Sequence, residues 1–301
     1  MPQIEANGIA LEYEDHGERS APPLLLVMGL GAQLTLWPME LVEALVERGF
    51  RVIRYDNRDI GLSHKMAGAK APGMVRHILM KRLGLSPRVP YSLADMAADG
   101  VGLLDALGID RAHVVGASMG GMIAQHIAFS HPERVLSLTS IMSTTGNPKL
   151  PAAQKAALDV LTKRPASLAE TVLVEHGIKI GRTIGSPGYP PDEDRLRANV
   201  TRDFRRSFHP AGMPRQLAAI IADGDRRGRL ARVTAPTLVI HGKNDPLVPV
   251  EGGRDTAAHI AGARLKIIPG MGHDLPVALV EEIADAIASH AHAAAPERIG
   301  A

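Results

Sequence analysis

The amino-acid sequence predicts an α/β protein whose parallel sheet is covered by helices on both faces. Short apolar runs alternate with helical patterns along most of the chain, which is typical of that class. One run, Pro-Leu-Leu-Leu-Val-Met at residues 23–28, is continuously apolar, as expected for a strand buried on both faces. A Gly-x-Ser-x-Gly motif around Ser118 lies between such a run and an apolar helix.

The elements follow in order from these patterns. The strands are predicted at residues 10–14, 23–28, 51–55, 112–115, 135–141, 237–241 and 264–268. A helix over residues 39–48 ends at Gly49, a helix over residues 92–107 begins at the capping residue Ser92, and a helix over residues 118–129 follows the motif. Further helices are expected after each of the last two strands.

The stretch from 143 to 232 breaks the alternation, since it contains helical patterns but no convincing strand. A capping box at Ser167 and Glu170 predicts the start of one helix, and residues 192–208 and 213–222 predict two more. We therefore expect a core of residues 1–142 and 233–301 with an inserted helical cap of residues 143–232. A second, lid-like insertion is predicted at residues 64–90, which are apolar in part and too many for an ordinary connection.

Composition narrows the classes of function. The chain of 301 residues is 45% hydrophobic, has a formal net charge of +2 and contains no cysteine. The charge provides no long-range attraction for nucleic acid, and the absence of cysteine excludes disulfides and thiolate chemistry. No signal-peptide pattern or membrane span is visible, so we expect a cytoplasmic protein, a monomer or homodimer. We also expect no cofactor and no metal.

Ser118 is the candidate nucleophile. It follows the predicted strand at residues 112–115 in the run Gly116-Ala117-Ser118-Met119-Gly120. A sharp turn from strand to helix lifts the serine clear of the sheet, and side chains at positions 116 and 120 would collide there.

A serine hydroxyl needs a neighbouring base, held in turn by a carboxylate. His273 follows the last predicted strand in a glycine-rich loop, and Asp245 follows the strand before it. The carboxyl ends of parallel strands meet at one edge of a sheet, so we predict that both lie near Ser118. Asp56, at the end of another strand, is the rival acid, although we interpret it as a structural residue.

Acyl transfer also needs donors for the developing oxyanion. The backbone N–H of Met119 begins a helix, and the glycine-rich loop after residues 23–28 offers a second donor. We predict that this second donor is the N–H of Leu30, with that of Gly29 as the alternative.

Several methionines lie in or beside these loops, and methionine side chains suit a roomy apolar pocket. We predict that the substrate pocket is lined by Met28, Trp37, Met142 and Met271, with core packing as the alternative role for each.

At this point the chain resembles the α/β-hydrolase family over nearly its whole length. The oxyanion loop, the Ser118 motif, Asp245 and His273 come in the family's order. The resemblance implies an eight-stranded, mostly parallel sheet with a helical cap at the predicted place. A narrower likeness, carried by residues 26–31, 55–63 and 268–273, is to methylesterases that act on anthracycline-type polyketide esters.

Two positions depart from the wider family. Met28 stands where many members carry histidine before the oxyanion glycine, so the loop is expected to lack a polar anchor. Asp59 stands where glycine is usual, as it does in the methylesterase-like group.

These observations predict a serine hydrolase that cleaves small-molecule carboxylic esters through an acyl-enzyme. A lactonase, a thioesterase, a C–C bond hydrolase and a cofactor-free perhydrolase use the same residues and remain alternatives. A different class, a non-catalytic small-molecule receptor, usually lacks a member of the triad, whereas all three positions are filled here.

Overall fold

The computed structural model describes residues 3–73, 79–80, 83, 85, 88–163 and 165–294. Within those ranges, none of the helices combines the length and the apolar character that crossing a membrane requires.

The sheet has eight strands in the order β1-β2-β4-β3-β5-β6-β7-β8. Strand β2 runs antiparallel to both of its neighbours, and every other pair is parallel. This arrangement confirms the predicted fold class. The strands are β1 Gln3–Ala6, β2 Ile9–His16, β3 Pro23–Val27, β4 Arg51–Tyr55, β5 Ala112–Ala117, β6 Val135–Ile141, β7 Thr237–Gly242 and β8 Arg264–Ile268.

The β1–β2 hairpin is the strand pair that sequence reasoning missed. Its turn is Asn7-Gly8, and both residues adopt positive φ angles, 51° and 73°. An Asn-Gly pair is the usual signal for a two-residue hairpin turn, so the signal was present in the sequence.

Ten α-helices are described. They are α1 Met39–Glu47, α2 Leu93–Ala106, α3 Met119–Ser130, α4 Lys155–Thr162, α5 Glu170–Ile184, α6 Glu193–Arg206, α7 Gly212–Asp223, α8 Arg227–Leu230, α9 Glu251–Ala258 and α10 Val280–Ala294. Short 3-10 helices cover Leu34–Leu36, Pro132–Arg134 and Val277–Leu279.

Capping chemistry explains where one helix begins and corrects the predicted start of another. Ser92 and Asp95 form a reciprocal capping box at the start of α2. The box predicted at Ser167 and Glu170 is wrong, because α5 begins at Glu170 with Ala169 in the capping position. The Ser167 hydroxyl instead accepts a hydrogen bond from the backbone N–H of Ala169.

The core lies on both faces of the sheet because strand side chains alternate in direction. In β3, Leu25 and Val27 pack into one apolar cluster with residues of α2 and α3. Leu24 and Leu26 pack into the opposite cluster with residues of α1 and α10. Strand β3 is therefore apolar at every position.

Helices α4–α8 lie between β6 and β7 in the sequence, where the cap was predicted. The division into core and cap at residues 143 and 232 remains our proposal. Of the predicted lid-like insertion 64–90, residues 74–78, 81–82, 84 and 86–87 lie outside the described residues, so the lid stays a prediction. Its first part contacts the core, since the Met66 N–H donates to Asp59 Oδ1 at 2.8 Å.

Candidate active site

Ser118 lies at a sharp turn between β5 and α3. Its backbone angles are φ 57° and ψ −121°, which few residues other than glycine adopt. A Cβ at Gly116 would lie 2.1 Å from the Gly120 carbonyl oxygen, and a Cβ at Gly120 would lie 1.9 Å from that of Val27. Only glycine fits at either position, so the motif forces Ser118 into its strained, half-buried place at the end of the sheet.

Neighbouring strand β6 supports this turn. The Ser118 N–H donates to the Ile141 carbonyl at 2.9 Å, and the Ser143 hydroxyl donates to the Ser118 carbonyl at 2.8 Å. These two bonds satisfy both backbone groups of Ser118, so its strained conformation is held on both sides.

The structure brings Ser118, His273 and Asp245 together in one chain of hydrogen bonds. Ser118 Oγ lies 3.0 Å from His273 Nε2, and His273 Nδ1 lies 2.7 Å from Asp245 Oδ2. With Nδ1–H donating to the carboxylate, Nε2 carries the lone pair that can accept the serine proton. Asp245 Oδ1 accepts the backbone N–H groups of Leu247 and Val248, each at 2.8 Å. The carboxylate is therefore held in one orientation.

A second histidine, His241, lies next to the Asp245 carboxylate. Its Nε2 is 3.6 Å from Asp245 Oδ2 and 2.8 Å from the Val248 carbonyl oxygen. The side chain is fully buried, and this burial lowers the pKa of His241, which keeps the ring neutral. His241 thus orients the loop after β7 without placing a competing cation beside Asp245.

Asp56 has a different environment from Asp245. Its Oδ1 accepts the Leu34 N–H at 2.7 Å, and its Oδ2 accepts the Leu62 N–H at 2.8 Å and Arg206 Nη1 at 2.7 Å. It is completely buried, and none of these partners is a histidine. Asp56 therefore holds two loops and helix α6 rather than an imidazole ring.

The loop that carries His273 is supported by the segment between α5 and α6, which sequence reasoning missed. The His273 N–H donates to the Ile184 carbonyl at 2.7 Å. The hydroxyl of Ser186 accepts the Gly272 N–H at 2.8 Å and hydrogen-bonds the Asp274 carboxyl group. Burial raises the pKa of Asp274. No sequence signal pointed to Ser186, because its partners are about 90 residues away along the chain.

The predicted oxyanion donors belong to two segments that meet at Ser118, the loop after β3 and the start of α3. Met119 is the first residue of α3, so its N–H is at the positive end of the helix dipole. A Cβ at Gly29 would lie 3.0 Å from the Ser118 Cβ, which places the Gly29–Leu30 turn against the serine. Within the described part of the chain, the N–H groups of Leu30 and Met119 donate to no protein acceptor.

Contrary to expectation, this loop does have polar anchors. The Asn57 Nδ2 donates to the Met28 carbonyl at 2.8 Å, and the Gly31 N–H donates to Gln216 Oε1 at 2.9 Å. The expectation was wrong because both amides come from elements distant in sequence, the turn after β4 and helix α7. Met28 itself provides no polar side chain.

The four predicted pocket residues are all buried in the apolar cluster between the sheet, α1 and α10. Each is at most 4% exposed: Met28, Trp37, Met142 and Met271. Their packing in the core is thus clear, and their contact with substrate stays a prediction. Among the described residues, no three histidine, aspartate or glutamate side chains are arranged to hold a metal ion.

Comparison with known proteins gives matches along nearly the whole chain. The family model of the α/β hydrolase fold matches residues 22–277. Rhodomycin D methylesterase DnrP of Streptomyces peucetius is 32% identical, over 97% of this chain and 98% of the relative. The 3-oxoadipate enol-lactonase 2 of Acinetobacter baylyi is 25% identical, over 88% of this chain and 87% of the relative. The crystal structure of the enol-lactonase from Burkholderia xenovorans LB400 aligns with a TM-score of 0.70 at 26% identity, over 96% of this chain and 99% of that one.

Proposed function

This chain belongs to the α/β-hydrolase fold family, and from that premise we propose that it is a serine esterase. It hydrolyses carboxylic esters of small molecules through a covalent acyl-enzyme. The observation that carries the proposal is the unbroken hydrogen-bond chain from Ser118 Oγ through His273 to Asp245, with distances of 3.0 and 2.7 Å. The methylesterase relative, 32% identical over 97% of this chain, supports an ester as the substrate.

In the first half of the reaction, Ser118 Oγ attacks the ester carbonyl carbon while His273 Nε2 takes the hydroxyl proton. The Asp245 carboxylate holds the ring and stabilises the imidazolium that forms. The carbonyl oxygen becomes an oxyanion, which accepts the N–H groups of Leu30 and Met119. When the tetrahedral intermediate collapses, the ester C–O bond breaks and His273 returns the proton to the leaving alcohol.

In the second half, a water molecule replaces the alcohol. His273 takes a proton from the water as its oxygen attacks the acyl carbon, and the same two N–H groups stabilise the second oxyanion. Collapse breaks the bond to Ser118 Oγ, the serine recovers its proton, and the carboxylic acid leaves. No step requires a group beyond the side chains and backbone already described.

The direct test is pre-steady-state hydrolysis of p-nitrophenyl acetate. We expect a burst of p-nitrophenol equal to the enzyme concentration, and covalent labelling of Ser118 by a fluorophosphonate, located by peptide mass spectrometry. Ser118→Ala removes one oxygen, so it should keep the thermal midpoint within a few degrees while kcat falls at least about 10⁴-fold. A folded Ser118→Ala variant with near wild-type turnover would identify another nucleophile.

A substrate panel then separates ester hydrolysis from the related reactions. It contains methyl esters of a small and of a polycyclic aromatic acid, a γ-lactone, and a vinylogous 1,5-diketone. We expect the highest kcat/KM on the esters. A preference for the lactone by more than tenfold would make the chain a lactonase with the same catalytic residues, and binding without turnover of any compound would make it a receptor.

A further inference from the structure

The loop Met28–Gly31 is held at both ends by buried amide side chains. Asn57 Nδ2 donates to the Met28 carbonyl oxygen at 2.8 Å, and Gln216 Oε1 accepts the Gly31 N–H at 2.9 Å. Asn57 is 1% exposed and Gln216 is completely buried. The two residues between these anchors are Gly29 and Leu30, whose N–H groups face no acceptor within the described residues.

Gln216 also joins this loop to the turn after β4. Its Nε2 donates to the Arg58 carbonyl at 2.9 Å, directly after Asn57 in the chain. Arg58 forms a bidentate pair with the buried Asp99, with both distances 2.6 Å. Gln216 thus joins Gly31, at the end of the loop, to the turn after β4. Asn57 of the same turn holds Met28, at the start of the loop.

Helix α7, which carries Gln216, is firmly seated on the core. Arg215 forms a bidentate pair with Asp59, with both distances 2.7 Å. A Cβ at Gly212 would lie 2.0 Å from the Asp59 carbonyl oxygen, and a Cβ at Gly31 would lie 3.3 Å from the side chain of Met213. Since the helix has little room to shift, the Gln216 amide is presented to the loop in one position.

We propose that Gln216 is a positioning residue for the oxyanion hole, a role that rests on the proposed function. A loop with glycines at positions 29 and 31 has high backbone freedom, so the Leu30 N–H needs an external restraint to point at the oxyanion before the reaction. Gln216 supplies that restraint from the inserted helices, and it does so without touching the substrate. The segment between β6 and β7 therefore contributes to the chemical step through Gln216.

The test compares Gln216→Met with a matched control, Gln33→Met. Gln33 is also a buried glutamine that joins the core to a cap helix: it accepts Arg206 Nη1 at 2.6 Å and donates to the Ser207 carbonyl at 3.1 Å. It lies two residues after Gly31, and among the described residues its side chain makes no hydrogen bond to the loop 28–31. Both variants lose buried hydrogen bonds, but only one loses the restraint on Gly31.

We expect kcat on p-nitrophenyl acetate to fall about 10- to 100-fold in Gln216→Met, with KM within threefold of wild type. Inhibition constants for an alkyl boronic acid, whose serine adduct mimics the tetrahedral intermediate, should rise by the same factor. In Gln33→Met, kcat and the boronic acid constant should stay within about threefold of wild type, whatever the change in thermal midpoint.

Equal kcat and boronic acid affinity in wild type and Gln216→Met would overturn the proposal, as would an equal loss in both variants. If Gln216→Met does not fold, Gln216→Asn decides, because its shorter amide cannot bridge Gly31 and Arg58 at once and should lower kcat at constant KM. An unchanged kcat in that variant refutes the positioning role. Failure of the proposed function gives a different result, namely no ester turnover by the wild type or undiminished turnover by Ser118→Ala.

Discussion

Asp56 and Asp245 each follow the carboxyl end of a parallel strand, and their hydrogen-bond partners give them different roles. Asp245 presents Oδ2 to His273 and uses Oδ1 for two backbone N–H groups. Both carboxylate oxygens of Asp56 accept hydrogen bonds from loop N–H groups or from Arg206, and neither faces a histidine. At the scale of single residues, the orientation of each carboxyl group thus separates a catalytic candidate from a structural one.

Asp245→Asn should lower kcat by about 10⁴-fold, because an amide at this place favours the wrong tautomer of His273. The side chains have the same shape, so KM and the thermal midpoint should change little. Steady-state kinetics on p-nitrophenyl acetate, with far-UV circular dichroism as the folding check, measure both effects.

Asp56→Asn is the control variant for Asp245→Asn. It removes the charge opposite Arg206 in a buried pair, so the free energy of unfolding should fall by about 3 kcal/mol. The folded fraction should keep kcat within tenfold of wild type. If instead Asp56→Asn is inactive while Asp245→Asn turns over normally, the acid has been assigned to the wrong strand.

At the scale of elements, the segment between α5 and α6 supports the loop that carries His273. Ser186 is 2% exposed, and its hydroxyl joins the Gly272 N–H to the Asp274 carboxyl group. The backbone adds two more bonds, from His273 to Ile184 and from Gly188 to Gly270. The helices between β6 and β7 are therefore bonded to the loop that carries His273, the proposed general base.

Ser186→Ala should leave the Gly272 N–H and the Asp274 carboxyl group without this partner. We expect the free energy of unfolding to decrease by about 1–3 kcal/mol, and kcat to fall by up to about tenfold because His273 loses support. Urea unfolding and steady-state kinetics measure the two effects.

Thr183→Ala is the matched control, because among the described residues the Thr183 hydroxyl bonds only to the Lys179 carbonyl of its own helix. Its kcat should equal that of wild type. A loss of activity in Thr183→Ala as large as in Ser186→Ala would show that any disturbance of α5 acts on the site.

At the scale of the whole molecule, several histidines are buried in the neutral form. Burial is the main cause that lowers the pKa values of His113, His126, His241 and His290. For His113, burial together with the nearby His290, His292 and Arg111 lowers the pKa to about 4, from 6.5. Folding therefore competes with protonation of these rings.

The sign of this effect makes acid destabilising. Between pH 6.5 and pH 4 the unfolded chain binds a proton at His113 and the folded chain does not, so the stabilising contribution is complete above pH 6.5 and is lost as the pH falls. From pH 7 to pH 5, His113 alone should lower the free energy of unfolding by about 2 kcal/mol.

Urea unfolding at pH 7 and pH 5 checks this value. In His113→Gln the difference between the two pH values should shrink by about 2 kcal/mol, even if the variant is less stable at pH 7. A pH dependence that is the same in wild type and in His113→Gln would mean that His113 is protonated in the folded state.

Much of the fold could be predicted because its signals are local. The continuous apolar runs predicted the central strands. The helix predicted over residues 192–208 is α6, Glu193–Arg206, with Asp192 in its N-cap position. The β1–β2 hairpin was missed although the Asn7-Gly8 pair is the usual sequence signal for a two-residue hairpin turn. The start of α5 was misplaced because Ser167 and Glu170 have the spacing of a capping box but the backbone does not adopt its geometry.

By itself, the sequence determined the α/β class, the strained turn at Ser118 and the three residues that meet at the strand ends. These follow from short-range sterics and from the rule that parallel strands present their carboxyl ends at one edge. Only the tertiary structure decided what supports them: Gln216 and Asn57 on the loop 28–31, and Ser186 on the loop that carries His273. A buried amide or hydroxyl has no periodic signature, and its partner is chosen by which distant segments pack together.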